Sequence, residues 1–390
     1  MRSRPSVALI VETSVIYGRQ ILHGVARYMR AHGDWSVYLD ERELGAPPPD
    51  WLVHWQGDGV ICRPTTPALA AQLSNRALPV VDLNDRYGDL GFPRISSDME
   101  AIGRTATQHL LERGFTNIAY CGFKGEIWSE ERGRGVRASL HNRGRFCGTF
   151  ESDWQGLRHQ AWEDERDQIA SWLETLPRPL GVVACNDVRG HHVLEACRLL
   201  GVAVPESVAV VGVDNARTIC EMCSPPLSSV VPDAERIGYE AARLLDQLMA
   251  GGTKSSVDWR FPPKGVSSRQ SSDALAVEDV VVAQALRFVR DHACEGISIA
   301  DVLARVPLSR SSLERSFRHY IGRSPQDEIR EVRLKRVKQL LVETDYSLAQ
   351  IAEFSGFKHP EYMMAMFKRV TGQTPSQWRQ NGQVKSDKES

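Results

Sequence analysis

The stretch from Ser298 to Gln380 carries one motif written twice, and this limits the fold more than any other feature of the chain. Phe317-Arg-His-Tyr-Ile-Gly-Arg-Ser-Pro325 and Phe367-Lys-Arg-Val-Thr-Gly-Gln-Thr-Pro375 share a Phe, a basic residue, a Gly, a hydroxyl residue and a Pro at the same spacing. The copies lie 50 residues apart, so two related supersecondary units are expected.

Each copy reads as a helix with one apolar face. Leu313, Phe317 and Tyr320 share that face in the first copy, and Met363, Phe367 and Val370 in the second. The following Gly suits a left-handed C-terminal cap. Ser324-Pro325 and Thr374-Pro375 can then start new helices, with an N-cap and Pro at the first helical position. Upstream, Ser298-Ile-Ala-Asp301 and Ser347-Leu-Ala-Gln350 read as capping boxes of two short helices. A tight turn follows each, at Val306–Ser309 and Ser355–Lys358. Short helix, turn and second helix make the unit that sets its second helix in the DNA major groove. Between the copies, Ser324 to Glu343 reads as one long helix with Ile329, Val332, Val337, Leu340 and Leu341 as its apolar stripe. Roughly 20 residues at ~1.5 Å each give a rod of ~30 Å, close to the ~34 Å of one DNA turn. Both second helices can thus face successive major grooves.

With these motifs, residues 284–380 resemble the DNA-binding domain of the AraC family of bacterial regulators. The nearest stretches are Ser347-Leu-Ala-Gln-Ile-Ala-Glu-Phe-Ser-Gly-Phe357 and Phe367-Lys-Arg-Val-Thr-Gly-Gln-Thr-Pro-Ser-Gln-Trp-Arg379. The resemblance implies operator DNA as a partner. On the first recognition helix, Ser309 to Tyr320, the apolar face leaves Arg310, Ser311, Glu314, Arg315 and Arg318 exposed, and the resemblance aims Ser311, Glu314 and Arg315 at base edges. The Arg315 guanidinium can take guanine bidentately, with a phosphate contact as the alternative. On the second, Pro360 to Val370, it aims Pro360, Glu361, Met364 and Ala365. Glu361 suits cytosine N4 and Met364 a thymine methyl. His359 and Lys368 are expected on phosphates, so weaker sequence readout is expected from this copy.

Charge is spread to match. Residues 281–380 carry 16 Lys and Arg against 11 Asp and Glu, and the remaining residues 32 against 38. A basic module on an acidic body fits a nucleic-acid partner for the module alone.

From Val7 to Phe261 short β runs alternate with helical patterns. Strands are expected at Val7–Val11, Trp35–Leu39, Gly59–Cys62, Val80–Leu83, Asn117–Gly122, Gly181–Cys185 and Val208–Val213. Such alternation predicts an α/β body of parallel sheets covered by helices, and some 250 residues of it predict two lobes. In such folds ligands sit beyond the carboxyl ends of the strands. The polar residues there are Glu12, Thr13 and Ser14, then Asp98, Asn186 and Asp187, and Asp214 and Asn215. Each Asp has a second reading as the N-cap of the next helix.

This body resembles the sugar-sensing domain of the LacI/GalR regulators, which shares the periplasmic-binding-protein fold. The residues that carry the likeness are Val182-Val-Ala-Cys-Asn-Asp187, Val210-Val-Gly-Val-Asp-Asn215 and Pro225-Pro-Leu-Ser-Ser-Val230. The resemblance implies that Asn186, Asp187, Asp214 and Arg132 reach an effector. That family carries its helix-turn-helix before the sensor, whereas here it follows. The inverted order is similar to one group, the xylose-operon activators of bacteria. Arg19-Gln-Ile-Leu-His-Gly-Val25, Trp128 with Glu131-Arg132, and His292-Ala-Cys-Glu-Gly296 fit that pattern. It implies a neutral sugar, D-xylose or a close pentose, as ligand, together with transcription activation, RNA polymerase as a partner and a homodimer. Trp128 offers an apolar wall for a sugar, Thr13, Asp98 and Asp214 offer acceptors, Arg132 and Arg189 donors, and Asn186 both.

Domain limits are expected at 1–262 for the sensor, 263–276 for a Pro- and Ser-rich linker, and 277–390 for the DNA-binding domain. No secretory signal or membrane-length apolar run is visible, and the eight cysteines are scattered, so a cytoplasmic protein with reduced thiols and no membrane partner is expected. Cys220 and Cys223 form a lone C-x-x-C without further ligand spacing, so neither a metal nor a cofactor is expected. No nucleophile-and-base signature or phosphate-cradling loop accompanies the sugar motifs, and His191-His192 lies mid-helix, which argues against an enzyme. The competing readings are a repressor, a regulator answering to another neutral sugar and, more distantly, a sugar-modifying enzyme or a periplasmic carrier.

Overall fold

The structure is a computed structural model. It describes residues 4–33, 35–43, 45–140, 143–153, 162–252, 257–273, 277, 279–344 and 346–380, except the side chains of 342 and 343. The chain falls into two compact units, residues 1–201 with 208–273, and residues 202–207 with 274–390.

The first unit holds two six-stranded sheets, one per lobe. In the first lobe β1 (Ser6–Ile10), β2 (Ser36–Leu39), β3 (Gly59–Cys62), β4 (Val80–Asp82), β5 (Arg94–Ser97) and β11 (Asp258–Phe261) lie in the order β11-β5-β4-β3-β1-β2, all parallel. The second has β6 (Asn117–Lys124), β7 (Arg145–Asp153), β8 (Leu180–Ala184), β9 (Val208–Val213), β10 (Ser228–Val231) and β12 (Gly265–Ser267) in the order β12-β10-β9-β8-β6-β7. Here β12 runs antiparallel to β10.

The apolar run of β1 shows why both faces need cover. Successive side chains point to opposite faces. Val7, Leu9 and Val11 enter a core with residues of α1 (Ile16–His32) and α8 (Ala234–Met249), while Ala8 and Ile10 enter another with α2 (Pro67–Ser74). In the second lobe α3 (Met99–Leu111) packs on α4 (Ile127–Ala138) with almost nothing between them. A Cβ on Gly103 would sit 2.0 Å from the Arg132 carbonyl oxygen, and one on Gly135 2.0 Å from that of Glu100. Glycine is therefore required at both places for the helices to meet.

The chain crosses between the lobes three times, at Asp98, at Pro232-Asp233 and at Pro262–Lys264. The crossings are tied together. Asp98 N–H donates to the Phe261 carbonyl at 2.8 Å, and Lys264 N–H to that of Val231 at 2.8 Å. The Lys264 ammonium pairs with Asp233 at 3.1 Å.

This corrects the linker expected at 263–276 as far as residue 273, residues 274–276 lying outside the described residues. Pro262–Lys264 is a crossing, β12 joins the sheet, and Ser271 and Ser272 are fully buried. The serines are there for hydrogen bonding inside the fold. Ser271 Oγ donates to the Val210 carbonyl and accepts from Ser228 N–H, while Ser272 Oγ bonds His109 Nε2 at 2.7 Å. Composition alone read this segment as loop.

The helical unit contains α9 (Val280–His292), α10 (Ile299–Leu303), α11 (Arg310–Ile321), α12 (Pro325–Glu343), α13 (Leu348–Phe354) and α14 (Pro360–Thr371), with residues 375–380 again helical. The capping boxes form at Ser298/Asp301 and Ser347/Gln350, and Gly322 and Gly372 end α11 and α14 in the left-handed conformation. Leu313, Phe317, Met363 and Phe367 are fully buried. Val370, expected on the same face, is exposed. It lies on the last turn of α14, past the end of the core, and Met366 is buried one turn earlier.

Candidate functional site

A cavity of about 640 Å³ opens between the lobes at the carboxyl ends of the strands. Its walls are charged, and Arg63, Arg86 and Arg132 are each paired with a carboxylate, while Arg19 and Arg217 are exposed. After β3, Arg63 donates to Glu12 Oε2 at 2.7 Å and to Asp85 Oδ2 at 2.7 Å, and its guanidinium lies 5.1 Å from the Tyr17 ring centroid. Tyr17 donates to or accepts from Ser97 Oγ at 2.9 Å, and burial pushes its hydroxyl up to about 12, so it stays a neutral phenol.

Across the cleft, α4 carries Trp128 and Arg132. Arg132 bonds the Cys185 carbonyl, lies 5.1 Å from the Trp128 ring and stands 3.6 Å from Asp214. Asp214 sits at φ 101°, in the left-handed region that a short polar side chain tolerates better than most. Burial raises its carboxyl above the usual range, against the pull of Arg132 and Arg63. The Trp128 indole N–H donates to Glu126 at 2.8 Å, and Glu126 pairs with Arg86 of the other lobe at 3.1 Å. The aromatic wall is thereby fixed by an ion pair that bridges the lobes.

Asn186 and Asp187 line the same cavity at the start of α6 (Asp187–Leu199). Asn186 caps that helix through Arg189 N–H at 2.8 Å. Asp187 accepts from Ser229 Oγ at 2.5 Å and Ala216 N–H at 2.6 Å. Burial, with Asp214 nearby, raises it to about 7, and those two donors oppose the shift.

Three residues expected at the ligand stand elsewhere. Thr13 exchanges hydrogen bonds with Arg42, its Oγ1 accepting Arg42 N–H at 2.9 Å, and is not in the cavity wall. Asp98 stands at a crossing between the lobes and caps α3 through Ala101 N–H at 2.7 Å. Arg189 is fully buried behind the site. It pairs with Glu165 at 2.7 Å, donates to Ser152 at 2.6 Å and packs 4.1 Å from the Phe123 ring centroid. Asn215, at the end of β9, is likewise held back by Arg269 and Ser229. Sequence reasoning missed Arg63, Asp85, Tyr17 and Arg86. The one available signal for Arg63 was a charged residue directly after β3, since the same strand-end argument had found Glu12 and Asp214.

In the helical unit, Arg310, Ser311, Arg315 and Arg318 are exposed on α11 and Glu314 is half-buried. Arg310 pairs with Glu314 at 3.5 Å, and the Ser311 hydroxyl lies 3.1 Å from that of the cap residue Ser309. On α14, Glu361, Ala365 and Lys368 are exposed, as is His359 just before it. Pro360 is half-buried, and half-buried Met364 rests on the core below.

Residues 6–96 match the XylR N-terminal domain, 107–272 the periplasmic binding protein-like domain and 302–381 a helix-turn-helix domain. The xylose operon regulatory protein of Escherichia coli K12 is 30% identical over 96% of this chain and 97% of its own. The chain belongs to the xylose operon regulatory protein family. The Haemophilus influenzae member is also 30% identical, over 96% of this chain and 98% of its own. A solved structure of a xylose-binding transcription activator superposes with a TM-score of 0.83 at 29% identity, covering 97% of this chain and 98% of that one. As a member of the xylose operon regulatory family, the protein is a sugar-sensing, DNA-binding transcription regulator. No helix among the described residues is long and apolar enough to cross a membrane.

Proposed function

We propose that D-xylose, or a close pentose, occupies the interlobe cleft and raises the affinity of the protein for its operator, so that the protein acts as an activator. The observation that carries this reading is that the less exposed arginines of the cavity wall are each paired with a carboxylate, while Arg19 and Arg217 stand exposed. Arg63 meets Glu12 and Asp85, Arg132 meets Asp214, and Arg86 meets Glu126. A phosphate group needs cations to spare, whereas hydroxyls need alternating donors and acceptors. Trp128 supplies the wall for the sugar's C–H face, with Arg132, Asn186, Asp187 and Asp214 as polar partners. Relatives named for the xylose operon and for xylose binding agree with that chemistry.

A ligand shifts a two-state sensor only through its different affinities for the two states. Residues on both lobes line this cleft, so its occupant favours one interlobe angle. The readout is DNA contact by Arg315 and its neighbours on α11 and, with less sequence preference, by Glu361 on α14. A homodimer that works through RNA polymerase completes the reading, since two-fold pairs are the commonest assembly.

Calorimetry with D-xylose, other pentoses and a pentose phosphate is the test. Saturable heat with D-xylose, together with tighter operator binding in mobility-shift assays when it is added, supports the reading. Silence with every pentose and tight binding of the phosphate overturns it.

A further inference from the structure

The helical unit has two apolar cores rather than one. The first gathers α9, α10 and α11 around Ile329 at the start of α12. The second gathers α13 and α14 around Leu334, Val337, Leu340 and Leu341 further along α12. Were α12 the sole link, its bending and twisting would pass directly into the angle between α11 and α14. Long helices are rarely straight and curve gently.

A second link stands at the midpoint of α12. Arg333 Nε donates to the Ala293 carbonyl at 2.7 Å, and one of its terminal nitrogens donates to the Ile297 carbonyl at 2.9 Å. Both acceptors flank the turn that ends at Gly296, in the first half of the unit. The same guanidinium lies 5.8 Å from the ring centroid of Phe357, in the second helix-turn-helix turn. The backbones meet there too. Gly356 has φ +76°, and a Cβ on it would sit 2.7 Å from the Cys294 carbonyl oxygen and 2.8 Å from that of Ala293. The turn of the second copy thus rests directly on the carbonyls of the first half, and one arginine fastens the two together. A planar fork of donors suits this task, since it holds two carbonyls in fixed directions, which a lysine ammonium cannot do.

We propose that Arg333 is a positioning residue that sets the spacing at which the two recognition helices meet DNA. This rests on the reading of α11 and α14 as the DNA-reading helices. Each half has an apolar core of its own, so loss of Arg333 is expected to leave each half able to bind. What it loosens is the relation between them, and with it the preference for one half-site separation.

The test uses the full chain and an operator selected from random duplexes with the unsubstituted protein. Derivatives of that operator lengthen or shorten the separation of its two half-sites by one or two base pairs, and a further duplex keeps only the half-site read by α11. The unsubstituted protein is expected to discriminate sharply among separations. Arg333→Ala should reduce that discrimination roughly ten-fold, the equivalent of ~1.4 kcal/mol, while affinity for the single half-site stays the same. Arg333→Lys should resemble Arg333→Ala, and it decides the question if the alanine variant fails to fold. Unchanged spacing preference in Arg333→Lys, or an equal loss on every duplex including the single half-site, overturns the proposal. If the unsubstituted protein itself shows no spacing preference, the reading of α11 and α14 fails first, and that outcome is distinct.

Discussion

The sensor and the helical unit build their sites in opposite ways. The face of α11 is local. Leu313 and Phe317 turn inward, and the residues between them turn outward within one helix. The interlobe cleft is non-local. Glu12, Arg63 and Asp85 meet from three strand ends, and Trp128, Arg132 and Asp214 from two further segments. A local site tolerates exchange of its outward residues one at a time. In the cleft Arg63, Arg86 and Arg132 each hold a carboxylate, so a single exchange among these pairs reaches beyond the residue changed.

The largest expected effect tests that contrast in the sensor. Asp214→Asn keeps a short polar side chain suited to φ 101° but removes the charge facing Arg132. D-xylose affinity should fall roughly ten- to hundred-fold, in line with loss of a charge-assisted hydrogen bond of ~1.5–3 kcal/mol. Operator affinity without sugar should not change. Calorimetry beside mobility shifts reads both, and an equal loss of sugar-free DNA binding would break the division between the two regions.

The next effect lies on the helical unit. Arg315→Ala should cost ~1–3 kcal/mol of discrimination between the operator and a mismatched site, while salt-sensitive non-specific binding survives. Glu361→Ala on α14 should cost less than Arg315→Ala. Site selection with each variant checks this, and equally sharp preferences at both half-sites would reverse the ranking.

The last effect lies outside both sites and concerns stability alone. His109 is buried against Ser272, and burial, with Arg113 nearby, lowers it from 6.5 to about 4. Between those values the unfolded chain binds more protons than the folded one, so stability rises with pH across that window and is lost as pH falls through it. His109→Gln should flatten this slope in denaturant unfolding followed from pH 4 to pH 7. An unchanged slope would assign it to other groups.

The same contrast decides what was legible beforehand. Ser298/Asp301, Ser347/Gln350, Gly322 and Gly372 signal within four residues of their partners or by their own conformation, and sequence spacing is enough to find them. Asn186 and Asp214 were visible because a polar residue directly after an apolar strand points to the carboxyl edge of a sheet. The role of Arg63 was not visible, because its partners lie 51 residues before it and 22 after it. Arg189 and Asp98 were placed at the ligand because strand-end logic does not separate a residue that lines a cavity from one buried behind it or standing at a crossing between the lobes. Strand β12 was hidden for a related reason. It is three residues long and owes its existence to β10, which precedes it by more than thirty residues. Val370 shows the limit of periodicity, which predicts a face but not where the core beneath it ends.

The three tied crossings at Asp98, Pro232-Asp233 and Pro262–Lys264 bear on how such a sensor can change its allegiance. Hydrogen bonds between Asp98 and Phe261 and between Lys264 and Val231 make the crossings one belt, so relative motion of the lobes reduces to rotation about that belt. The output is then an angle, whatever chemistry produced it. Under the proposed reading, exchanges at Trp128, Arg132 or Asp214 would retune which small molecule turns the lobes, while the signal that leaves the belt would keep the same form. Recognition and actuation are therefore free to diverge at separate rates within a single polypeptide.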